Sequence, residues 1–336
     1  MRLATRAPLE ISAARRRFDR ILWLLLALAC VAGVIVYAPR LSSAYHAWSL
    51  SRLSPTRLEA HVRKHPNDLE ARYRLGLSLG RSGKHVEAIR ELVAVLQKDP
   101  GRADVLNDLG ALYLLEGRYY ESLVTLRAAL EARPEYAVVY ANLGRLHVAT
   151  KMPFTAVKEL AHAVHLAPGN VETLCDLGEA YQRTLNYTSA RRVYEQVLNK
   201  EPRLVRAHVG LGKTLFSLTE YGMAEAALQR ALQLAAEEPT ALATLGRLKL
   251  EQAAEEAEFQ TARDLLRRAV RADPADSDAW YDLGRVALRQ KKPDQAVPFL
   301  ERALQLSGRH PGATLQLSQA LRLVGRTAEA DRWTER

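Results

Sequence analysis

Cysteine is nearly absent: Cys30 and Cys175 are the two in a chain of 336 residues. Cys30 lies in an apolar N-terminal run and Cys175 inside an expected helix, so no disulfide framework is implied. Glycine and proline are modest, at 18 and 14, and their placement carries more information than their number. The sequence contains no nucleophile elbow, no metalloprotease helix and no dinucleotide fingerprint. No long non-repetitive segment remains to house a catalytic domain, so no catalytic, cofactor-binding or metal-binding residues are expected. A concentrated basic stripe is missing too, although the formal net charge is +10; nucleic acid is therefore not an expected partner.

What is present begins with a hydrophobic fraction of 48% against 26% charged residues, enough to bury a sizeable core. In residues 1–20, Arg2, Arg6, Arg15, Arg16, Arg17 and Arg20 face only Glu10 and Asp19. The uncharged run Ile21–Tyr37 follows, 17 residues long, which at ~1.5 Å per residue spans roughly 26 Å. Trp23 and Tyr37 sit near its ends, where amphipathic rings favour the headgroup level, and Pro39 closes it. A transmembrane helix over 21–38 is expected, with residues 1–20 a basic cytoplasmic segment. After it only Arg40, Arg52 and Arg57 occur before residue 58, so the positive-inside rule sends the C-terminal body across the membrane. Ala27-Leu28-Ala29 before Cys30 resembles a cleavage site, but the apolar run continues beyond it, and an uncleaved anchor is the better reading.

The rest of the chain is organised by one spacing. Leu75-Gly76, Leu109-Gly110, Leu143-Gly144, Leu177-Gly178, Leu211-Gly212 and Leu245-Gly246 recur every 34 residues. Leu283-Gly284 follows after 38, and Leu317-Ser318 after another 34. Twelve residues after most of these glycines stands a small residue: Ala88, Ser122, Ala156, Ala190, Ala224, Ala296 and Ala330. Small side chains at both places let two antiparallel helices approach closely, while Leu92, Leu126, Leu160, Tyr194, Leu228 and Leu300 fill the layers between. Pro100, Pro134, Pro168, Pro202 and Pro274 close units where one helix must end before the next begins. A fixed period of this length marks a solenoid of helix–turn–helix units.

Together, Trp280, Leu283-Gly284, Ala296, Leu300 and Ala303, with Tyr140, Leu143-Gly144, Ala156, Leu160, Ala163 and Pro168, resemble the tetratricopeptide repeat family, in a membrane-anchored bacterial form. The resemblance covers residues 67–336 and implies an all-α, right-handed superhelical solenoid of about eight units, the last truncated. Residues 39–66 are expected to form two connecting helices, about Leu41–Leu53 and Thr56–His65, as a degenerate cap. In proteins of this family the first helices line a concave groove that receives a partner. Carried over, the groove would hold Tyr73, Leu77, Asn107, Leu114, Asn142, Arg145, Glu179, Gln182, Arg183, Lys213, Phe216, Arg247, Tyr281, Arg285 and Arg289. The residue after the glycine is basic in four units, Arg145, Lys213, Arg247 and Arg285, a line suited to an acidic segment. Their alternative role is as solvated charges, neutralised by Glu179, Asp176 and Asp282. The carboxylate clamp of some family members is missing, since Tyr73 and Leu77 replace the expected Lys and Asn.

Other features read more plainly. The four extra residues of the sixth unit, near Gln252–Phe259, are expected to lengthen its first helix by about one turn. They gather Glu251, Glu255, Glu256 and Glu258 into an acidic knob, either a solvated helix end or a contact for a basic partner. Ala207–Thr214 (AHVGLGKT) fits a relaxed phosphate-loop pattern, but its register places it inside a helix whose N–H groups are already used. His61 with His65, and His162 with His165, could share helix faces as ligands, yet no third ligand stands at a recognised spacing. Asn186-Tyr187-Thr188 is a glycosylation sequon in an expected turn, and the polar last helix, with Trp333, is expected to cap the stack.

The expected function is that of a single-pass scaffold or assembly factor of a bacterial inner membrane. Its N-terminus lies inside, its repeats lie in the periplasm, and protein partners sit in the groove. Two alternatives are a structural subunit of a large membrane complex (secretion, pilus or respiratory) and an accessory module of a cell-envelope enzyme. Oligomeric state is not legible.

Overall fold

Apolar residues three and four apart, bounded by turn residues, dictate short amphipathic helices, and the computed structural model is built of little else. It describes residues 45–50 and 52–334, which contain helices and turns and no strand. Residues 1–20 and the expected anchor over 21–38 lie outside the described residues. Among the described residues no helix is long and apolar enough to cross a membrane.

The chain divides into two compact units, Met1–Ala132 and Arg133–Arg336. In the first, residues 45–50 (α1) and Pro55–Lys64 (α2) precede two hairpins, Leu69–Arg81 (α3) with His85–Leu96 (α4), and Ala103–Leu115 (α5) with Tyr119–Ala132 (α6). These two helices lie within or beside the stretches 41–53 and 56–65 named above, with 41–44 and 51 outside the described residues. Leu50, Leu58 and Val62 pack on Ala71 and Leu75 of α3, covering the apolar face the first repeat would otherwise expose.

Six hairpins make the second unit. They are Ala137–Ala149 (α7) with Pro153–Leu166 (α8), Val171–Arg183 (α9) with Tyr187–Lys200 (α10), and Val205–Ser217 (α11) with Tyr221–Leu234 (α12). Pro239–Gln252 (α13) pairs with Glu256–Ala272 (α14), Ser277–Arg289 (α15) with Pro293–Ser307 (α16), and Pro311–Leu323 (α17) with Thr327–Thr334 (α18). In this last hairpin Trp333 packs beside buried Ala330 and Leu321.

The small-residue spacing works as the sequence implies. A Cβ on Gly212 would lie 2.6 Å from Leu228 Cγ, and one on Gly246 would lie 2.7 Å from Leu266 Cγ. Leu92, Leu126, Leu160, Leu228, Leu266 and Leu300 are all fully buried against these glycines, each contributing about 2–3 kcal/mol of apolar transfer. Where the small residue of the second helix is Ser122, its hydroxyl donates to the Gly110 carbonyl at 2.8 Å, so no buried donor is wasted. Tyr194 replaces leucine in the fourth unit, and its larger ring lies against both Gly178 and Gly210.

The turn inside every hairpin but the sixth passes through one left-handed residue. Glycine serves at Gly83, Gly117 and Gly325, but Lys151, Leu185, Thr219 and Lys291 adopt φ of 58–61°. The bonds Leu185 N–H to Gln182 O and Asn186 N–H to Tyr181 O satisfy the orphan carbonyls of α9. The sixth unit turns differently, and here the expectation needs correcting. Its first helix, α13, has 14 residues, while its second, α14, has 17, so the extra residues mainly lengthen the second helix. Glu258 is the cause: its carboxylate accepts from the backbone N–H of Ala254 (2.6 Å) and Glu255 (3.0 Å), fixing a new helix start.

Candidate partner-binding face

The residue after each Leu-Gly step lies on the first helix of its unit, and in α7 and α13 it reaches an aspartate on the next unit's first helix. In α7, Arg145 Nε donates to Asp176 Oδ2 at 2.6 Å, and its Nη1 to Asn142 Oδ1 at 3.1 Å. Asp176 is buried and also accepts from Arg206 Nη2 at 2.6 Å. Burial works against the Arg206 charge, but the bond it donates to Asp176 and the nearby negative charges of Asp176 and Glu179 together outweigh it and raise the guanidinium pKa. In α13, Arg247 Nε donates to Asp282 Oδ2 at 2.6 Å. Asp282 is fully buried and also accepts from Arg285 Nη1 at 3.1 Å, while Arg285 Nη2 reaches Glu251 at 2.8 Å.

Three of the four cations of the expected line are therefore matched within the protein, as the neutralised alternative holds. The fourth is not. Lys213 of α11 is exposed and has no carboxylate partner among the described residues. The aspartates that serve Arg145 and Arg247 stand directly before the next Leu-Gly step; at Lys213 the corresponding residue is Thr244.

Lys213 borders a recess of about 360 Å³ lined by Glu179, Gln182, Arg183, Tyr187, Phe216, Ser217, Thr244 and Arg247. The structure thus brings Gln182, Arg183, Lys213, Phe216 and Arg247 together from α9, α11 and α13. Glu179 accepts from Arg183 Nη2 at 3.0 Å. Gln182 Nε2 donates to the Gly210 carbonyl at 2.9 Å and to Thr214 Oγ1 at 2.8 Å, which holds α9 to α11. Phe216 packs on Tyr221 with ring centroids 5.7 Å apart.

The remaining groove candidates do other work. Asn107 and Asn142 are buried. In the first unit, Tyr73 Oη donates to Asp108 at 2.6 Å and Asn107 Nδ2 donates at 3.0 Å. Burial pushes the Asp108 carboxyl above its ordinary range, against the pull of those two bonds. Leu114 is half-buried in α5 and is not among the residues that line the recess. Arg289 donates to the Ala253 carbonyl at 3.0 Å and lies over the Phe259 ring, and Tyr281 stacks near His310 at 4.4 Å. These are ties between the sixth, seventh and eighth units.

The acidic knob is largely consumed. Glu251 binds Arg285; Glu256 accepts from Gln290 and Gln260 and meets Lys292; Glu258 caps α14. Ala207–Thr214 lies wholly within α11. Asn186 caps α10, accepting from the Ser189 N–H at 3.2 Å. Cys175 is buried, which pushes its thiol up to about 11. One convergence escaped the sequence reading: His46 and His61 both place Nε2 2.9 Å from Asp68 Oδ2, 22 and 7 residues away. Among the described residues no group of three or more His, Cys, Asp or Glu is arranged to hold a metal.

Known proteins share the repeat fold. Tetratricopeptide repeat models match residues 51–106, 103–136, 175–239 and 251–314, well over half of the chain between them. This is a tetratricopeptide repeat protein. Its repeats also align with the Cut9-Hcn1 hetero-tetramer of the APC/C, with a TM-score of 0.66 at 17% identity, over 80% of this chain and 52% of that one. A tetratricopeptide repeat protein of Parabacteroides merdae aligns with a TM-score of 0.62 at 16% identity, over 75% of this chain and 98% of the other. At such identities these likenesses show the fold. A 74-residue stretch is 43% identical to the cytochrome c-type biogenesis protein CycH of Pseudomonas aeruginosa, spanning 22% of this chain and 18% of that relative.

Proposed function

We propose that this tetratricopeptide repeat protein is a membrane-anchored scaffold or assembly factor that holds partner proteins on the face formed by its first helices. One observation carries the reading: α9, α11 and α13 direct Gln182, Arg183, Lys213, Phe216 and Arg247 to a single open recess. An aromatic side chain beside charged and amide groups is the composition of a binding hot spot. The protein acts by binding and not by catalysis. The uncharged run at 21–38 and its arginine-rich flank support a bacterial inner-membrane location with the repeats in the periplasm. The 74-residue likeness to a cytochrome c-type biogenesis protein favours an assembly role over that of a permanent structural subunit.

Capture from native membranes, with partners identified by mass spectrometry, tests this. A partner retained by the tagged full chain should drop at least about fivefold with Phe216→Ala. It should persist with Leu185→Ala, on an exposed turn. Equal retention by both variants would sink the proposal. Protease added to intact spheroplasts should digest the repeats; full protection would remove the periplasmic assignment.

A further inference from the structure

We infer that the recess between α9, α11 and α13 carries a subsite for one carboxylate: Lys213 binds an Asp or Glu side chain within an internal segment of the partner, and Phe216 receives the apolar residue beside it. The inference rests on the partner-binding reading of this face and narrows it from a line of four cations to one.

The argument comes from what stands opposite each cation. Arg145 and Arg247 each meet an aspartate at 2.6 Å, supplied by the following repeat at the position before its Leu-Gly step. The same register places Thr244 against Lys213, so the protein supplies the cation and leaves out the anion. The other charges in the recess are spoken for. Glu179 is bound by Arg183 at 3.0 Å and lies 3.6 Å from Arg206, while Arg247 belongs to Asp282. In this recess one unshared positive charge therefore remains, while Glu238 of the adjoining recess is engaged by the Ala241 N–H; one cation is matched to one carboxylate, and charge-assisted bonds of this kind are the stronger class. Phe216 supplies apolar area on the same helix, three residues on, where side chains share a face.

An internal segment is the occupant because Lys213 does not sit at a blind end. A second recess of about 370 Å³, lined by Glu179, Gln182, Arg206, Lys213 and Glu238, continues on its other side. A peptide passing through both would cross Lys213 midway. Each recess lies at the low end of the ~300–1,000 Å³ range of ligand-sized sites.

Calorimetric titration of the full chain in detergent, with three blocked probes, decides the matter. They are acetyl-Ala-Phe-Glu-Ala-Ala-amide, its Gln counterpart, and acetyl-Ala-Ala-Phe with a free C-terminal carboxylate. The Glu peptide is expected to bind about fivefold tighter than the Gln peptide, with the gap closing in Lys213→Gln and returning in Lys213→Arg. Overturning results are equal affinity for the Glu and Gln peptides, no binding of either, preference for the free C-terminus, or a gap that survives Lys213→Gln. Loss of native partner capture in Phe216→Ala alongside any of these would leave the scaffold reading standing and remove the subsite alone.

Discussion

The two ends of the α7–α15 stretch of first helices and its middle solve one position differently. At the ends, Arg145 meets Asp176 and Arg247 meets Asp282, each at 2.6 Å, so that adjacent first helices are tied by a buried carboxylate. In the middle, Glu179 faces a register position held by Gly210, and Lys213 faces Thr244. Gly210 is itself required, because the Tyr194 ring occupies the space a side chain there would need. The comparison teaches that a charge on this face is structural where its own helix or a neighbouring repeat answers it and available where neither does.

The largest expected effect comes from breaking a tie. Asp282→Ala strands Arg247 beside a fully buried site and should lower stability by about 2–3 kcal/mol. That is below the ~3–5 of a fully buried pair because Arg247 and Arg285 keep partial solvation. Lys213→Gln should change it by less than about 0.5 kcal/mol, and similar melting temperatures for the two variants would erase the distinction drawn above. Next, Gly210→Ala should lose about 1–3 kcal/mol by overpacking against Tyr194. In a Tyr194→Leu background the same change should be nearly neutral, so an additive double-mutant cycle would count against the steric account. Leu185→Gly relieves a left-handed turn residue that is largely exposed and should gain up to about 1 kcal/mol in denaturant titration. Smallest in stability, Thr244→Asp should add no more than about 0.5 kcal/mol. It should nonetheless abolish discrimination between the Glu and Gln peptides by giving Lys213 a resident carboxylate.

Much of the architecture is legible because it depends on local volume. The glycine of each Leu-Gly step is matched by a leucine or tyrosine of its own hairpin, and outside the sixth unit both repeat at a fixed interval. The face is less legible because its pairings cross between repeats: Arg145 and Asp176 are 31 residues apart, Arg247 and Asp282 are 35. No helix-face rule connects them, so counting cations gave a line of four where the fold leaves one. A usable signal was present, namely an aspartate directly before the Leu-Gly of the following repeat. The sixth unit teaches the same lesson. Glu255 and Glu258 stand at capping-box spacing, and that local chemistry, rather than the net acidity of the segment, determined which helix grew.

Cys175 has a consequence for how the repeats mature. It is the sole thiol among the described residues, buried in a core drawn from its own and neighbouring hairpins, and that burial pushes it up to about 11, so that it stays protonated at neutral pH. Oxidants act on thiolates, so the folded repeats present them with almost nothing to attack. With no second thiol among them, the described repeats hold together by packing, with no sulfurs for an oxidase to join or an isomerase to rearrange.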